Sequence, residues 1–107
     1  MIEAITKDLF FRAKIEEAAK AAGVEKPRFL ASPEEATGEL VLLELDQRTG
    51  GVQAVATILK KAPKARVVAF GSHVDTETLA RARELGADEV MPRSRFVREM
   101  ERILTSR

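Results

Sequence analysis

Apolar positions along this chain alternate between two periods. The unbroken runs Leu40-Val41-Leu42-Leu43 and Val67-Val68-Ala69-Phe70 are each followed by a polar turn containing glycine. Runs of that kind predict strands buried on both faces. Between and around them the spacing changes to three and four. Phe11, Ile15, Ala18 and Ala22 predict a first long helix, opened by Asp8 and stopped by Gly23. Val52, Val55, Ala56 and Leu59 predict another that closes before Pro63. Leu79, Ala82 and Leu85 predict a third between an Asp75 cap and Gly86, and Phe96, Met100 and Ile103 a last one behind a Ser94 cap. Ser32-Pro33-Glu34-Glu35 has proline at the first helical position and Glu at the capping-box position, which predicts a brief helix ended by Gly38. Strands are expected at residues 1–5, 28–31, 40–45, 66–70 and 87–91.

Five strand–helix units in alternation, joined by short connections, require a parallel sheet with helices on both faces, wound right-handedly. The predicted fold class is α/β, a flavodoxin-like (βα)5 three-layer sandwich with strand order 2-1-3-4-5. Residues 40–45 then lie at the centre of the sheet. The 107 residues read as one domain, 1–107. One local conflict stands out. Leu9, Phe10 and Phe11 are consecutive, and a single helix face cannot bury all three. One aromatic is expected over the carboxyl ends of the strands, or facing a partner.

Composition narrows the function classes. The chain has no cysteine, which excludes disulfides, thiolate metal sites and cysteine nucleophiles. The amino-terminal residues resemble no signal peptide, and the apolar runs are far too short to span a membrane. A cytoplasmic protein without membrane contact is expected. The net charge is +1, but acids are in excess in residues 1–53 and bases in residues 54–107. With a pI of only 8.1 and no Trp or Tyr for base stacking, the basic half reads as a solvated surface and not as a nucleic-acid site.

Candidate chemistry gathers at one edge. The turn after the first strand lacks glycine, so the dinucleotide fingerprint and the P-loop are both absent where they would be needed. Gly50-Gly51 predicts a turn with positive φ. His73 is the sole histidine, and no Ser-His-Asp arrangement is set up around it. Instead, polar groups recur at the predicted carboxyl ends of the strands: Lys7 and Asp8, Glu44 and Asp46, Gly71 and Ser72, and Arg93. Asp8, Glu44 and Asp46 are the candidates for a hard divalent cation. Equally they are helix caps and partners for Arg12, Arg48 or Arg93, and no metal is expected.

Two segments carry a family resemblance. Leu40-Val41-Leu42-Leu43-Glu44-Leu45 resembles the phosphoacceptor strand of the receiver domains of two-component response regulators, and Gly86-Ala87-Asp88-Glu89-Val90 resembles their Gly-Ala-Asp lead-in to strand five. The similarity spans nearly the whole chain. It implies a module that takes a phosphoryl group from a histidine kinase onto an Asp, with Mg²⁺ held by nearby acids, and senses it through a Thr or Ser and a Lys. The chemical positions depart from that pattern. The acid pair is Lys7-Asp8, the acceptor position is Glu44, the hydroxyl position falls on Gly71 beside Ser72, and the sensing Lys is Arg93, followed by Ser94 and preceded by Pro92.

The resemblance therefore implies a pseudo-receiver: a non-enzymatic signalling module with a degenerate site. A Glu44–Arg93 contact is expected to imitate the phosphoryl–Lys contact. The module is expected to act on a protein partner, or by self-association, through the face running from strand four to the last helix. That face carries His73, Arg81, Arg83, Arg93, Arg95, Arg98 and Arg102. Two alternatives remain. One is a working phosphoacceptor that uses Asp46 (or Glu44) with Mg²⁺, Asp46 sharing a strand face with Glu44 by alternation. The other is a small-ligand sensor at the carboxyl-end crevice, lidded by Phe10 or Phe11.

Overall fold

A computed structural model describes residues 1–106, with Arg107 outside the described residues. The strands are β1 (Ile2–Ile5), β2 (Arg28–Phe29), β3 (Leu40–Glu44), β4 (Arg66–Gly71) and β5 (Glu89–Pro92). They pair in parallel in the order β2-β1-β3-β4-β5, as the alternation required. The α-helices are α1 (Leu9–Ala22), α2 (Gln53–Lys61), α3 (Thr76–Glu84) and α4 (Arg93–Thr105).

Period-2 alternation sorts each strand between two cores. On β3, Leu40 and Leu42 face α1 and α4, packing with Ile2, Ala4, Val68, Phe70 and Met91. Val41 and Leu43 face the other way, toward α2 and α3, with Ile5, Val67, Ala69 and Val90. An aromatic cluster anchors the first core. Phe70 and Phe96 stack with centroids 3.9 Å apart, and Phe11 leans on Phe70 at 5.0 Å. This settles the consecutive apolar triplet at the start of α1, where Phe11 is buried while Leu9 and Phe10 stay exposed.

The second crossover differs from expectation. Between β2 and β3 there is no α-helix, only a 3₁₀ turn at Pro33–Glu35. The physical reason lies in β1. Glu3 is fully buried, and its carboxylate accepts from the amides of Thr37 (2.8 Å) and Gly38 (2.6 Å) and from the Thr37 hydroxyl (3.0 Å). Arg28 stands 3.8 Å away. Amides that a longer helix would have carried are thus spent on a strand carboxylate, and a segment this short cannot repay helix nucleation. Gly38 is required by the close approach, since a Cβ there would lie 2.9 Å from Glu3 Cγ.

Three smaller expectations are also corrected. The buried stripe of α1 runs Phe11, Ile15, Ala19, leaving Ala18 and Ala22 only half-buried. That of α2 is Ala54, Val55 and Ile58, with Val52 and Leu59 partly buried beside it. The last helix starts at Arg93 directly after Pro92, so Ser94 lies inside its first turn and does not cap it. Asp8 and Asp75 do cap α1 and α3, accepting from the amides of Phe10 and Thr78. Gly50 and Gly51 take positive φ of 102° and 63°, as the turn required.

Candidate functional site

Glu44 is the last residue of β3, and alternation puts it on the α1/α4 side, after Leu40 and Leu42. Register brings the next groups to it. Ile5 pairs with Leu43, so the residue after each, Thr6 and Glu44, stand side by side where the two central strands end. β5 passes straight into α4, which delivers Arg93 to the same edge. Both oxygens of the Glu44 carboxylate are engaged. Thr6 Oγ1 donates to Oε1 at 2.7 Å, and an Arg93 guanidinium nitrogen donates to Oε2 at 3.4 Å. The Glu44 side chain is 1% exposed and that of Arg93 34%.

The surrounding groups brace this contact. Thr6 Oγ1 also accepts from the Asp8 amide at 3.1 Å. Thr49 Oγ1 donates to the Glu44 carbonyl at 2.6 Å and lies within 2.9 Å of the Asp46 carbonyl. Sequence reasoning named neither threonine. Thr6 was legible in principle, because it continues the Ile2–Ala4 alternation onto the Glu44 side. Thr49 was not, since a 3₁₀ turn folds it back.

The other acids at this edge are directed elsewhere. The strand ends at Glu44, so alternation no longer aims Asp46. It caps a 3₁₀ turn at Gln47–Thr49, accepting from the Arg48 amide at 2.8 Å and pairing with Arg48 Nε at 3.0 Å. The guanidinium of Arg48, then its amide, holds the Asp46 carboxyl below its ordinary value, and Asp46 in turn raises Arg48. Asp8 spends its carboxylate on the cap of α1. Lys7 points to the Ala31 carbonyl at 3.2 Å. A Cβ at Gly71 would lie 3.3 Å from Leu45 Cβ and 3.6 Å from Leu79 Cδ2, and Ser72 Oγ accepts from the Val74 amide within its own loop at 3.4 Å. Among the described residues, no three Asp, Glu or His side chains converge as a metal site. Asp8, Glu44 and Asp46 are committed to separate partners: the Phe10 amide, Thr6 with Arg93, and Arg48.

The basic residues on the β4-to-α4 face are also largely engaged. Arg102 binds Glu89 (2.9 Å) and Glu99 (2.5 Å), Arg95 binds Glu99 (2.5 Å), and Arg66 binds Glu89 (2.6 Å). These contacts, Arg102 first for Glu89 and Arg95 first for Glu99, hold both carboxyls below the ordinary value. Arg83 donates to the Val90 carbonyl, and Arg81 pairs with Glu84. His73 is exposed in the β4–α3 loop. Arg98 is set apart from Arg95 and Arg102, lining a groove between α1 and α4. No helix among the described residues is long and apolar enough to cross a membrane.

This architecture has close counterparts among solved structures. The receiver domain of NtrX from Brucella abortus superposes with a TM-score of 0.78 over all of both chains, at 20% identity. The fold is that of response-regulator receiver domains. The BeF3-activated DrrB receiver domain matches with a TM-score of 0.75 at 18% identity, over 96% of this chain and 95% of that one. Against a longer NtrX chain from the same Brucella species, in a structure with ADP, the TM-score is 0.76 at 20% identity. There the match covers 96% of this chain but only 26% of the other, so the chain spans about a quarter of that protein. No family model matches the sequence, and no curated protein matches it. Between β2 and β3 of this chain, a 3₁₀ turn stands where the alternation called for a second helix.

Proposed function

We propose that this chain is a receiver-like signalling module that takes up no phosphoryl group and uses no Mg²⁺, a cytoplasmic, non-enzymatic pseudo-receiver held in one state by its own side chains. The observation that carries this reading is the double engagement of Glu44, by Thr6 on one carboxylate oxygen and Arg93 on the other. In a phosphoacceptor the carboxylate oxygen must be open to in-line attack, and placement errors of an ångström are costly in phosphoryl transfer. Here the carboxylate is longer by one methylene, 1% exposed and already bound by a cation. Arg93 supplies constantly the charge-assisted contact that a sensing lysine would make only after phosphorylation.

Output in this reading goes through protein contact on the face from β4 to α4, where His73 and Arg81 are exposed. Incubation with acetyl phosphate and Mg²⁺, followed by intact-mass measurement, is the direct test. The expected result is an unmodified mass in the chain and in its Asp46→Asn variant alike. A lasting phosphoryl adduct that maps to Glu44 or Asp46 would overturn the proposal.

A further inference from the structure

A cavity of about 350 Å³ opens at the end of the sheet opposite Glu44, where the last turns of α1 meet the loop leading to β2. It is lined by Glu16, Ala19, Lys20, Val24 and Lys26. The floor is apolar: Ala19 is buried, and half-buried Val24 packs against the core that holds the aromatic cluster. The rim is cationic. Lys20 and Lys26 are exposed, and among the described residues neither has an ion-pair or hydrogen-bond partner. The acids that could neutralise them are turned to other groups. Glu16, one turn before Lys20, leans to Arg12 at 3.9 Å, and Glu25, beside Lys26, pairs with the Met1 amino group at 3.2 Å. The end of α1 is also closed, because the amides of Gly23 and Val24 donate to the carbonyls of Lys20 (3.2 Å) and Ala19 (3.1 Å).

We propose that this cavity binds a small amphiphilic anion, an apolar body carrying one carboxylate. Its volume lies near the lower end of small-molecule sites, roughly 300–1,000 Å³, which suits a chain or ring of several carbons. Lysine ammoniums are flexible point charges and suit a carboxylate held at the rim. Their stems lie along apolar surface while the heads stay in water. The apolar body of the ligand would cover Ala19 and Val24 and exclude water there. An acidic peptide would match the two lysines but leave that floor wet, so the observations favour the small molecule. The site is independent of the Glu44 contact and of the β4-to-α4 face.

Titration of the ¹⁵N-labelled full chain with octanoate, followed through its amide chemical shifts, provides the test. The expected result is saturable movement of the Ala19, Lys20, Val24 and Lys26 amides. The dissociation constant should be about 1 mM or tighter, the range open to a ligand of about ten heavy atoms. Octanol and acetate, which each keep one half of the ligand, should bind at least ~10-fold more weakly. Combining Lys20→Gln with Lys26→Gln should weaken octanoate at least ~10-fold, and the amide spectrum of that variant shows directly whether it is folded. Lys60→Gln with Lys61→Gln removes the same charge from exposed positions on α2, outside the cavity, and should leave the affinity unchanged. Absence of saturation by about 10 mM overturns the proposal. So does octanol or acetate binding as tightly as octanoate, parental affinity after the Lys20 and Lys26 substitutions, or an equal loss in the α2 control. A glutamate-rich peptide that moves the same amides and binds more tightly than octanoate also overturns it, assigning the lysines to a protein partner.

Discussion

Removing the Arg93 guanidinium while keeping its aliphatic stem, as in Arg93→Met, isolates the contact at the end of β3. Two unit charges 3.4 Å apart attract by about 5 kcal/mol at an effective dielectric of about 20, but most of this is spent on desolvation. A hydrogen bond to a charged group nets about 1.5–3 kcal/mol. The long separation and the exposure of Arg93 place this one in the lower half, at about 2 kcal/mol. The two partners should respond unequally. Arg93→Met strands a carboxylate that is 1% exposed, with only Thr6 left to hold it. Glu44→Gln keeps an acceptor for Thr6 and leaves behind a guanidinium that is one-third exposed and that water can solvate. It should cost under about 1 kcal/mol, the value of an exposed pair.

Urea denaturation of both single variants and the double variant gives the coupling energy. The expected midpoint for Arg93→Met is about 1–2 M urea lower than for the parent, given an m-value in the range for a small domain. In the Glu44→Gln background, Arg93→Met should cost almost nothing further. A coupling below about 0.5 kcal/mol would mean an ordinary surface pair and would refute the idea of a lock.

Two further predictions rest on other parts of the molecule. Gly38→Ala should destabilise by about 1–3 kcal/mol, read as a lower melting temperature, because its Cβ would meet a Glu3 side chain that three hydrogen bonds hold in place. Stability should also depend on acid through the network around Arg102. Glu89 and Glu99 have folded-state pKa values lowered from 4.5 by their arginines. Their contribution is therefore fully present above that value and is lost as pH falls through the lowered folded values. Arg102→Gln should flatten the melting temperature against pH below about 4.5, and Arg98→Gln should not; equal slopes in the two variants would show that the network is not the cause.

Much of this was legible from periodicity. Leu40–Leu43 and Val67–Phe70 announced central strands because residues buried on both faces leave no polar position in the run. Parallel alternation then left few topologies, and the sheet order followed. The candidate edge was legible for the same reason: Glu44 ends the central strand β3, and Arg93 follows the edge strand β5 at the same carboxyl side of the sheet. The missing second helix was not legible. Ser32-Pro33-Glu34-Glu35 has good local helix-starting chemistry, but Glu3, 34 residues away from Thr37, claims the amides that would follow.

The sequence by itself determined which residues could be buried and at what period, because burial depends on side-chain spacing along one element. Tertiary structure alone decided what each polar group does, because its partners come from distant elements through register. Thr6 reaches Glu44 across 38 residues and Arg93 reaches it across 49. Asp46, two residues along the same strand direction, was drawn instead to its neighbour Arg48, because β3 stops before alternation can aim it.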